Sequence, residues 1–234
     1  HRSKDGYLPA PLILASAIAA RTKTLPIQVA ALILPLHDPV ETAEQIAVLD
    51  LVSEGRVNYV VAIGYVPAEY AMYGRDMKGR GQRLEESVRV MQRLWREPVA
   101  EYSDEFYTLR PSLLYPKPVQ KPRLPIHILG DSNAALRRVA DFGDGFLPMD
   151  IEPEALSEPL DMLDGMLAER GRQRDEITVS VIPPVSGCDL EKVKRYRDAG
   201  ADRVVIMEFV HALDQLESVV DRLAEQIVEP ARGL

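Results

Sequence analysis

The chain has 234 residues, 46% of them hydrophobic, with a formal net charge of −8, and this length suits one domain the size of an α/β barrel. The acidic balance argues against a nucleic-acid partner, because nothing neutralises phosphates in bulk, and no apolar run approaches the roughly 20 residues of a membrane span. The single cysteine, Cys188, excludes an internal disulfide and favours a cytoplasmic setting.

Helices and strands alternate through the first part of the chain. The sequence around Asp38 is typical of a helix N-terminus. Asp38 is suited to cap the helix, Pro39 fits its first turn and Glu41 is placed to close a capping box. Hydrophobic periodicity and breakers predict, in order, a helix at Pro9–Ala20, a strand at Ile27–Leu34, a helix from Pro39 to near Gly55, a strand at Val57–Ile63, a loop at Gly64–Gly74 and a helix at Arg83–Trp95.

A proline-rich excursion at about 97–125 follows, and then the alternation of strand and helix resumes. The predicted strands are Ile126–Leu129, Gly145–Met149, Ile177–Ile182 and Arg203–Glu208, and the predicted helices are Asn133–Phe142, Glu154–Arg170, Leu190–Ala199 and Leu213–Val228. Six strands, each followed by a helix, predict a parallel sheet with right-handed crossovers. The two candidate folds are a doubly wound sheet and a (β/α)8 barrel that lacks two units.

Ligands of parallel α/β proteins bind at the carboxyl ends of the strands, which selects a short list of segments. Gly130, Asp131 and Ser132 lie between a strand and a helix start. There the glycine lets a ligand approach the backbone, and the helix N-terminus attracts an anion such as phosphate. The alternative is that Asp131 or Ser132 simply caps the helix.

Two further segments end predicted strands. The small residues Ala30 and Ala31 leave room for a flat group, although packing of a neighbouring helix is the simpler explanation from the residues alone. Gly64 opens a loop with Tyr65 and Tyr70, whose rings either stack on a flat ligand or pack onto the sheet. The histidines and Cys188 show no spacing typical of a metal site.

Several segments, in the right order over nearly the whole chain, resemble the luciferase-like flavin and deazaflavin oxidoreductases. The matching segments are Asp38–Val40, Leu49–Asp50, Gly55–Arg56, the loop Gly64–Gly74, Pro125–Ser132, Gly143–Phe146 and Ala199–Val205. The resemblance implies a (β/α)8 TIM barrel of the luciferase-like type, in which residues 1–234 form one N-terminally incomplete barrel domain. The chain begins at His1 rather than Met, and the first one to two βα units of the barrel are expected to be missing from it.

The resemblance also implies roles for individual residues. Ala30 and Ala31 would support the ring of FMN or coenzyme F420 through a cis peptide, and Gly64 would also be a cofactor-binding residue. Gly130, Asp131 and Ser132 would hold the cofactor phosphate. His1 would be the catalytic polar group near the reactive face, and Tyr65 and Tyr70 would line the substrate side.

These roles predict a flavin-dependent oxidoreductase, a luciferase-like monooxygenase that uses reduced FMN and O₂ on a small organic substrate. The first alternative is an F420-dependent dehydrogenase or reductase, and the second is a non-catalytic flavin-binding barrel relative. A flavin or F420 reductase and a second copy of the chain, forming a homodimer, are the expected partners. One departure stands out: Ile63 occupies a position where many relatives carry an arginine that pairs with the phosphate.

Overall fold

The computed structural model describes residues 10–185, 187–210 and 212–234. The chain forms two compact units, residues 1–126 and 127–234, and each is described by itself. The helices are α1 (Pro11–Arg21), α2 (Pro39–Val52), α3 (Pro67–Met72), α4 (Arg80–Arg96), α5 (Asn133–Phe142), α6 (Ser157–Ala168), α7 (Leu190–Asp198), α8 (Leu213–Leu223) and α9 (Glu229–Ala231). The strands are β1 (Ile27–Ile33), β2 (Val57–Ala62), β3 (Ala100–Ser103), β4 (Thr108–Ser112), β5 (Ile126–Leu129), β6 (Gly145–Leu147), β7 (Thr178–Val181) and β8 (Arg203–Val204).

Two parallel strands form the centre of the first unit. β1 pairs with β2 from Ile27 opposite Val57 onward, and α2 is the connection between them. The last four residues of β2 are all buried, as expected for a parallel strand that is covered on both faces. β1 ends one residue earlier than predicted, because a 3₁₀ turn begins at Leu34 and contains Pro35, which has no N–H to extend the ladder.

The start of α2 confirms the predicted cap. One carboxylate oxygen of Asp38 accepts hydrogen bonds from the backbone N–H groups of Val40 (2.9 Å) and Glu41 (3.1 Å), and Pro39 occupies the first turn. The side chain of Glu41 instead accepts a hydrogen bond from Gln45 at 3.0 Å. Asp38 alone therefore satisfies two of the free N–H groups at this helix end.

The segment 64–74 differs from the predicted loop, because it contains the short helix α3. Pro67 stands in its first turn, where a missing N–H costs nothing. The helix has only six residues, too few to show a clear apolar period in the sequence. Its consequence is that Tyr70 points into the protein, where its side chain is buried.

The excursion at 97–125 contains the antiparallel hairpin of β3 and β4, followed by irregular chain. One buried carboxylate, Asp50 of α2, anchors this irregular part. It accepts hydrogen bonds from the backbone N–H groups of Val119 (2.7 Å) and Gln120 (3.0 Å) and from the Gln120 side-chain amide (2.6 Å). The peptide bonds before Pro116 and Pro122 are cis.

Three basic side chains cap the C-terminal ends of helices, where free carbonyl groups attract cations. Arg56 donates to the carbonyls of Ala19 and Thr22 at the end of α1, and to that of Leu25 beyond it. Lys117 donates to the carbonyls of Leu94 and Glu97 at the end of α4, both at 2.6 Å. Arg172 does the same for α5 through the carbonyls of Val139, Ala140 and Gly143.

The second unit contains four parallel strands that pair in chain order, β5 with β6, β6 with β7 and β7 with β8. β8 is shorter than the predicted Arg203–Glu208. The Val205 N–H still donates to the carbonyl of Val181, but β7 ends at that residue, so the ladder stops. The predicted order of six strands, each followed by a helix, is confirmed. None of the described helices is long and apolar enough to cross a membrane.

Candidate functional site

A small open area lies in the middle of β1. Ala30 is exposed and Ala31 is half-buried, whereas Val29 before them and Leu32 after them are buried. The peptide bond between the two alanines is cis, as the resemblance implies. The register between β1 and β2 shifts across this same point, between Val29 and Leu32. The side chains here are only methyl groups, so a flat group can lie directly on the backbone.

The residues that follow β2 lie at the carboxyl end of that strand. Gly64 has a φ of +71°, and a Cβ there would be 2.7 Å from the Cγ2 of Ile33, so the close approach of the two strand ends requires glycine. Tyr65 is 70% exposed, whereas Tyr70 is 1% exposed and donates its hydroxyl to the carbonyl of Ile63. Tyr65 is therefore largely solvent-accessible, and Tyr70 fixes the backbone just before Gly64 instead of lying open on the substrate side.

In the second unit, the predicted phosphate segment stands between β5 and α5. Gly130 has a φ of +126°, and a Cβ there would meet only the Cβ of Ala135, at 3.4 Å. Ser132 is the N-cap of α5, and its Oγ accepts a hydrogen bond from the Ala135 N–H at 3.3 Å. The capping alternative is therefore confirmed for Ser132. A capping oxygen accepts, which leaves its hydroxyl hydrogen available to an anion, so the two roles are compatible.

His127 is the most unusual titratable group of the second unit. Its side chain is buried, and its Nδ1 has no hydrogen-bond partner. Burial, reinforced by the nearby positive charge of Arg203 and opposed by Asp144, lowers the pKa of His127 to about 4. The imidazole is consequently neutral at pH 7. It packs against Gly145 of β6, where a Cβ would be 2.1 Å from Nδ1.

This environment predicts a pH-dependent stability. The folded-state pKa of about 4 lies below the ordinary 6.5, so the unfolded chain binds more protons, and stability is lost as the pH falls from 6.5 to 4. The full contribution is about 3 kcal/mol. Urea unfolding at a series of pH values checks this, with His127→Phe as the non-titrating comparison. The variant should lose less stability over this range, and equal losses in both proteins would contradict the prediction.

Sequence reasoning began the helix after the Gly64–Gly74 loop at Arg83, whereas α4 begins at Arg80. The available signal was Gly79, which has a left-handed backbone just before the first turn. The predicted catalytic residue His1 lies outside the described residues. Among the residues that the structure describes, no group of three or more histidine, cysteine or acidic side chains is arranged to hold a metal ion.

Comparisons with known proteins agree with the expected family. An uncharacterized protein of Mycobacterium tuberculosis is 30% identical over 218 residues, which cover 91% of this chain and 73% of that protein. The F420-dependent glucose-6-phosphate dehydrogenase of Amycolatopsis mediterranei is 29% identical over 150 residues, which cover 62% of this chain and 44% of the enzyme. The chain thus spans under half of this characterised relative.

Solved structures share the fold. The coenzyme F420-dependent tetrahydromethanopterin reductase from Methanopyrus kandleri matches with a TM-score of 0.77 at 15% identity, over 94% of this chain and 87% of that chain. The FMN complex of the oxygenating constituent of 3,6-diketocamphane monooxygenase from Pseudomonas putida matches with a TM-score of 0.66 at 21% identity, over 77% and 54%. The fold of the chain is therefore that of the luciferase-like barrel proteins.

A family model described as luciferase-like monooxygenase matches residues 1–189. Of these proteins, the dehydrogenase and the reductase are named as F420-dependent, and the monooxygenase constituent was solved in complex with FMN, as expected for the predicted family. The chain belongs to the luciferase-like monooxygenase family.

Proposed function

We propose that the protein is a flavin-dependent oxidoreductase, a luciferase-like monooxygenase that acts with reduced FMN and O₂ on a small organic substrate. The observation that carries this proposal is the open area of β1, where exposed Ala30 and half-buried Ala31 interrupt buried residues in a chain of this family. Bound reduced FMN would supply the oxygen chemistry. The protein would bind the cofactor, orient it and exclude water.

Most of the predicted residues have a role in this proposal. Ala30 and Ala31 support the ring, because larger side chains would occupy its place. Gly130 lets the phosphate approach the backbone, and Ser132 donates its hydroxyl to it while still capping α5. Asp131 belongs to the same turn. His1 remains the proposed catalytic polar group, and Tyr65 the exposed aromatic on the substrate side.

An F420-dependent dehydrogenase is the second candidate, and the glucose-6-phosphate dehydrogenase relative favours it. Coenzyme F420 would supply hydride transfer without oxygen. The same residues would hold either cofactor, so the roles of Ala30, Gly130 and Ser132 do not change. A reductase partner is proposed for either cofactor, by analogy with the relative that is named as the oxygenase component of a flavin-dependent trigonelline monooxygenase.

Cofactor titration tests the proposal. The full-length protein is titrated with reduced FMN and with reduced F420, in air and without oxygen, and cofactor oxidation is followed with candidate small substrates. Substrate-dependent oxygen uptake with FMN supports the monooxygenase, and oxygen-independent turnover with F420 supports the dehydrogenase. Binding without turnover would leave the non-catalytic relative, and the absence of binding to either cofactor would end all three hypotheses.

A single substitution tests the open area itself. Ala30→Leu places a larger side chain where the ring is proposed to lie, and we expect at least about a tenfold loss of cofactor affinity, near 1.4 kcal/mol. The matched control is Ala17→Leu on exposed helix α1, which should bind the cofactor as the wild type does. Equal affinity in all three proteins would show that the ring binds elsewhere.

A further inference from the structure

A cleft lies on the first unit at the amino end of β2, whereas Gly64 follows the carboxyl end of that strand. The cleft opens to solvent and has a volume of about 300 Å³. The last turn of α4 forms one side, and the irregular chain before β5 forms the other. Gln120 in its wall donates from Nε2 to the carbonyl of Val57, the first residue of β2, at 2.8 Å. A volume of this size suits a small molecule with one ring.

The apolar part of the cleft is held in place by contacts within the protein. The indole of Trp95 donates from Nε1 to the carbonyl of Ala43 at 2.9 Å, and its ring meets that of Tyr59 edge-on, with the centroids 6.0 Å apart. Leu124 and Pro118, which also line the cleft, are buried. Because these groups are already fixed, a ligand loses little free energy in ordering them.

The rim of the cleft is positively charged. Arg96, Lys121 and Arg123 line it, and among the described residues of this lining none is acidic. The ammonium of Lys121 donates to the carbonyl of Pro118 at 3.3 Å, which leaves two of its three N–H groups for other acceptors. In a chain with a net charge of −8, such a local excess of positive charge selects an anion.

The requirements of the fold do not account for these charges. Lys117 already binds the carbonyl groups at the end of α4, so Arg96 is not needed as a cap there. The neighbouring carboxylate of Glu97 is paired with Arg93 at 3.2 Å. In the part of the chain that the structure describes, neither Arg96 nor Lys121 forms an ion pair. Both cations therefore remain available to an acidic group of a ligand.

We propose that this cleft binds a small organic anion, an acidic group carried on an apolar ring. The ring packs against Trp95 and Leu124, and the acidic group lies between Arg96 and Lys121, which donate charge-assisted hydrogen bonds to it. The site is a binding site only, and no bond or proton moves there. It needs neither a flavin nor F420, because it lies at the opposite end of β2 from the proposed cofactor residues.

The fluorescence of Trp95 provides a direct measurement, since Trp95 is the single tryptophan of the chain. The full-length protein is titrated with phenylacetate, with uncharged phenylacetamide and with acetate, which has the charge without the ring. We expect a saturable change with phenylacetate and at least about tenfold weaker binding of the other two compounds. The absence of a saturable change, or equal affinity for phenylacetate and phenylacetamide, would overturn the proposal.

Variants place the ligand in the cleft. Replacing both rim cations, Arg96→Gln with Lys121→Gln, should raise the Kd for phenylacetate by about tenfold or more. Both side chains are exposed, so this double variant should fold. The control Arg110→Gln removes an equally exposed cation from β4 of the same unit and should bind phenylacetate as the wild type does. Equal affinity in all three proteins would contradict the assigned site.

A second variant tests the same cleft without removing a charge. Gln92 lines it and is half-buried, so Gln92→Phe should fill part of the space and weaken phenylacetate binding by about tenfold or more. Unchanged affinity in Gln92→Phe would show that the ligand binds elsewhere and would refute the cleft. That result would leave the proposed oxidoreductase untouched, because cofactor titration tests it at the other end of the strands.

Discussion

Replacing Gly145 by alanine is expected to destabilise the protein by about 3 kcal/mol or more. A Cβ at this position would be 2.1–2.5 Å from three atoms of the His127 ring, well inside van der Waals contact. The ring has little room to move, because His127 is buried on β5 between the buried residues Ile126 and Ile128. Urea unfolding at pH 7 measures the loss.

Gly165 provides the matched control. It lies within α6, has an ordinary φ, and a Cβ there would meet no atom within 4 Å. Gly165→Ala should therefore stabilise the protein by roughly 0.5–1 kcal/mol through the higher helix propensity of alanine. The double variant of Gly145→Ala with His127→Ala should recover part of the loss, because the two residues are in contact. A Gly145→Ala protein as stable as the wild type would show that the ring moves freely.

Replacing Asp50 by alanine is expected to cost about 3–4 kcal/mol of unfolding free energy. The buried carboxylate accepts three hydrogen bonds, two from backbone N–H groups and one from Gln120 Nε2. Its removal leaves the part-buried N–H groups of Val119 and Gln120 without this acceptor, whereas Gln120 Nε2 keeps its hydrogen bond to the carbonyl of Val57. Asp50→Asn should also be costly, since the amide turns at least one acceptor into a donor that faces other donors.

Replacing Asp50 should weaken the chain around Val119 and Gln120 in addition to lowering the free energy of unfolding of the whole protein. Because Asp50 holds Val119 and Gln120, hydrogen exchange of those two amides should become faster in Asp50→Asn, even where the rest of the fold is retained. Glu44→Gln on the exposed face of the same helix is the control and should change stability by less than about 0.5 kcal/mol. An Asp50→Asn protein with unchanged protection at both amides would contradict the assigned anchor.

The strand order and the helix caps could be predicted because they depend on short stretches of chain. Asp38 and Pro39 mark a helix start within four residues, and the apolar runs of β1 and β2 need no distant partner to be recognised. The short helix α3 was not predicted, because the burial of Tyr70 in the folded protein stabilises this helix, and the helix has no clear apolar period in the sequence. β8 ends early because its partner strand β7 ends, and the sequence of β8 alone does not show where β7 ends.

The site could be predicted only where small residues and glycines mark it. Ala30, Gly64 and Gly130 are recognisable because a flat or anionic ligand needs the space that they leave. The contact of Arg83 with the ring of Phe106 could not be predicted, because the two residues are more than twenty positions apart. The sequence identified Asp50 only as part of the family resemblance. Its role as an anchor could not be predicted, because the residues that it binds are 69 and 70 positions away.

The reactivity of the Lys117 amine can report local opening of the chain segment in which it lies. Its amine is committed to the carbonyls of Leu94 and Glu97, so an acylating reagent reaches its lone pair only when the irregular chain after β4 separates from the end of α4. The rate of acylation of Lys117, set against that of exposed Lys78, therefore counts how often that segment opens while the rest of the molecule stays folded.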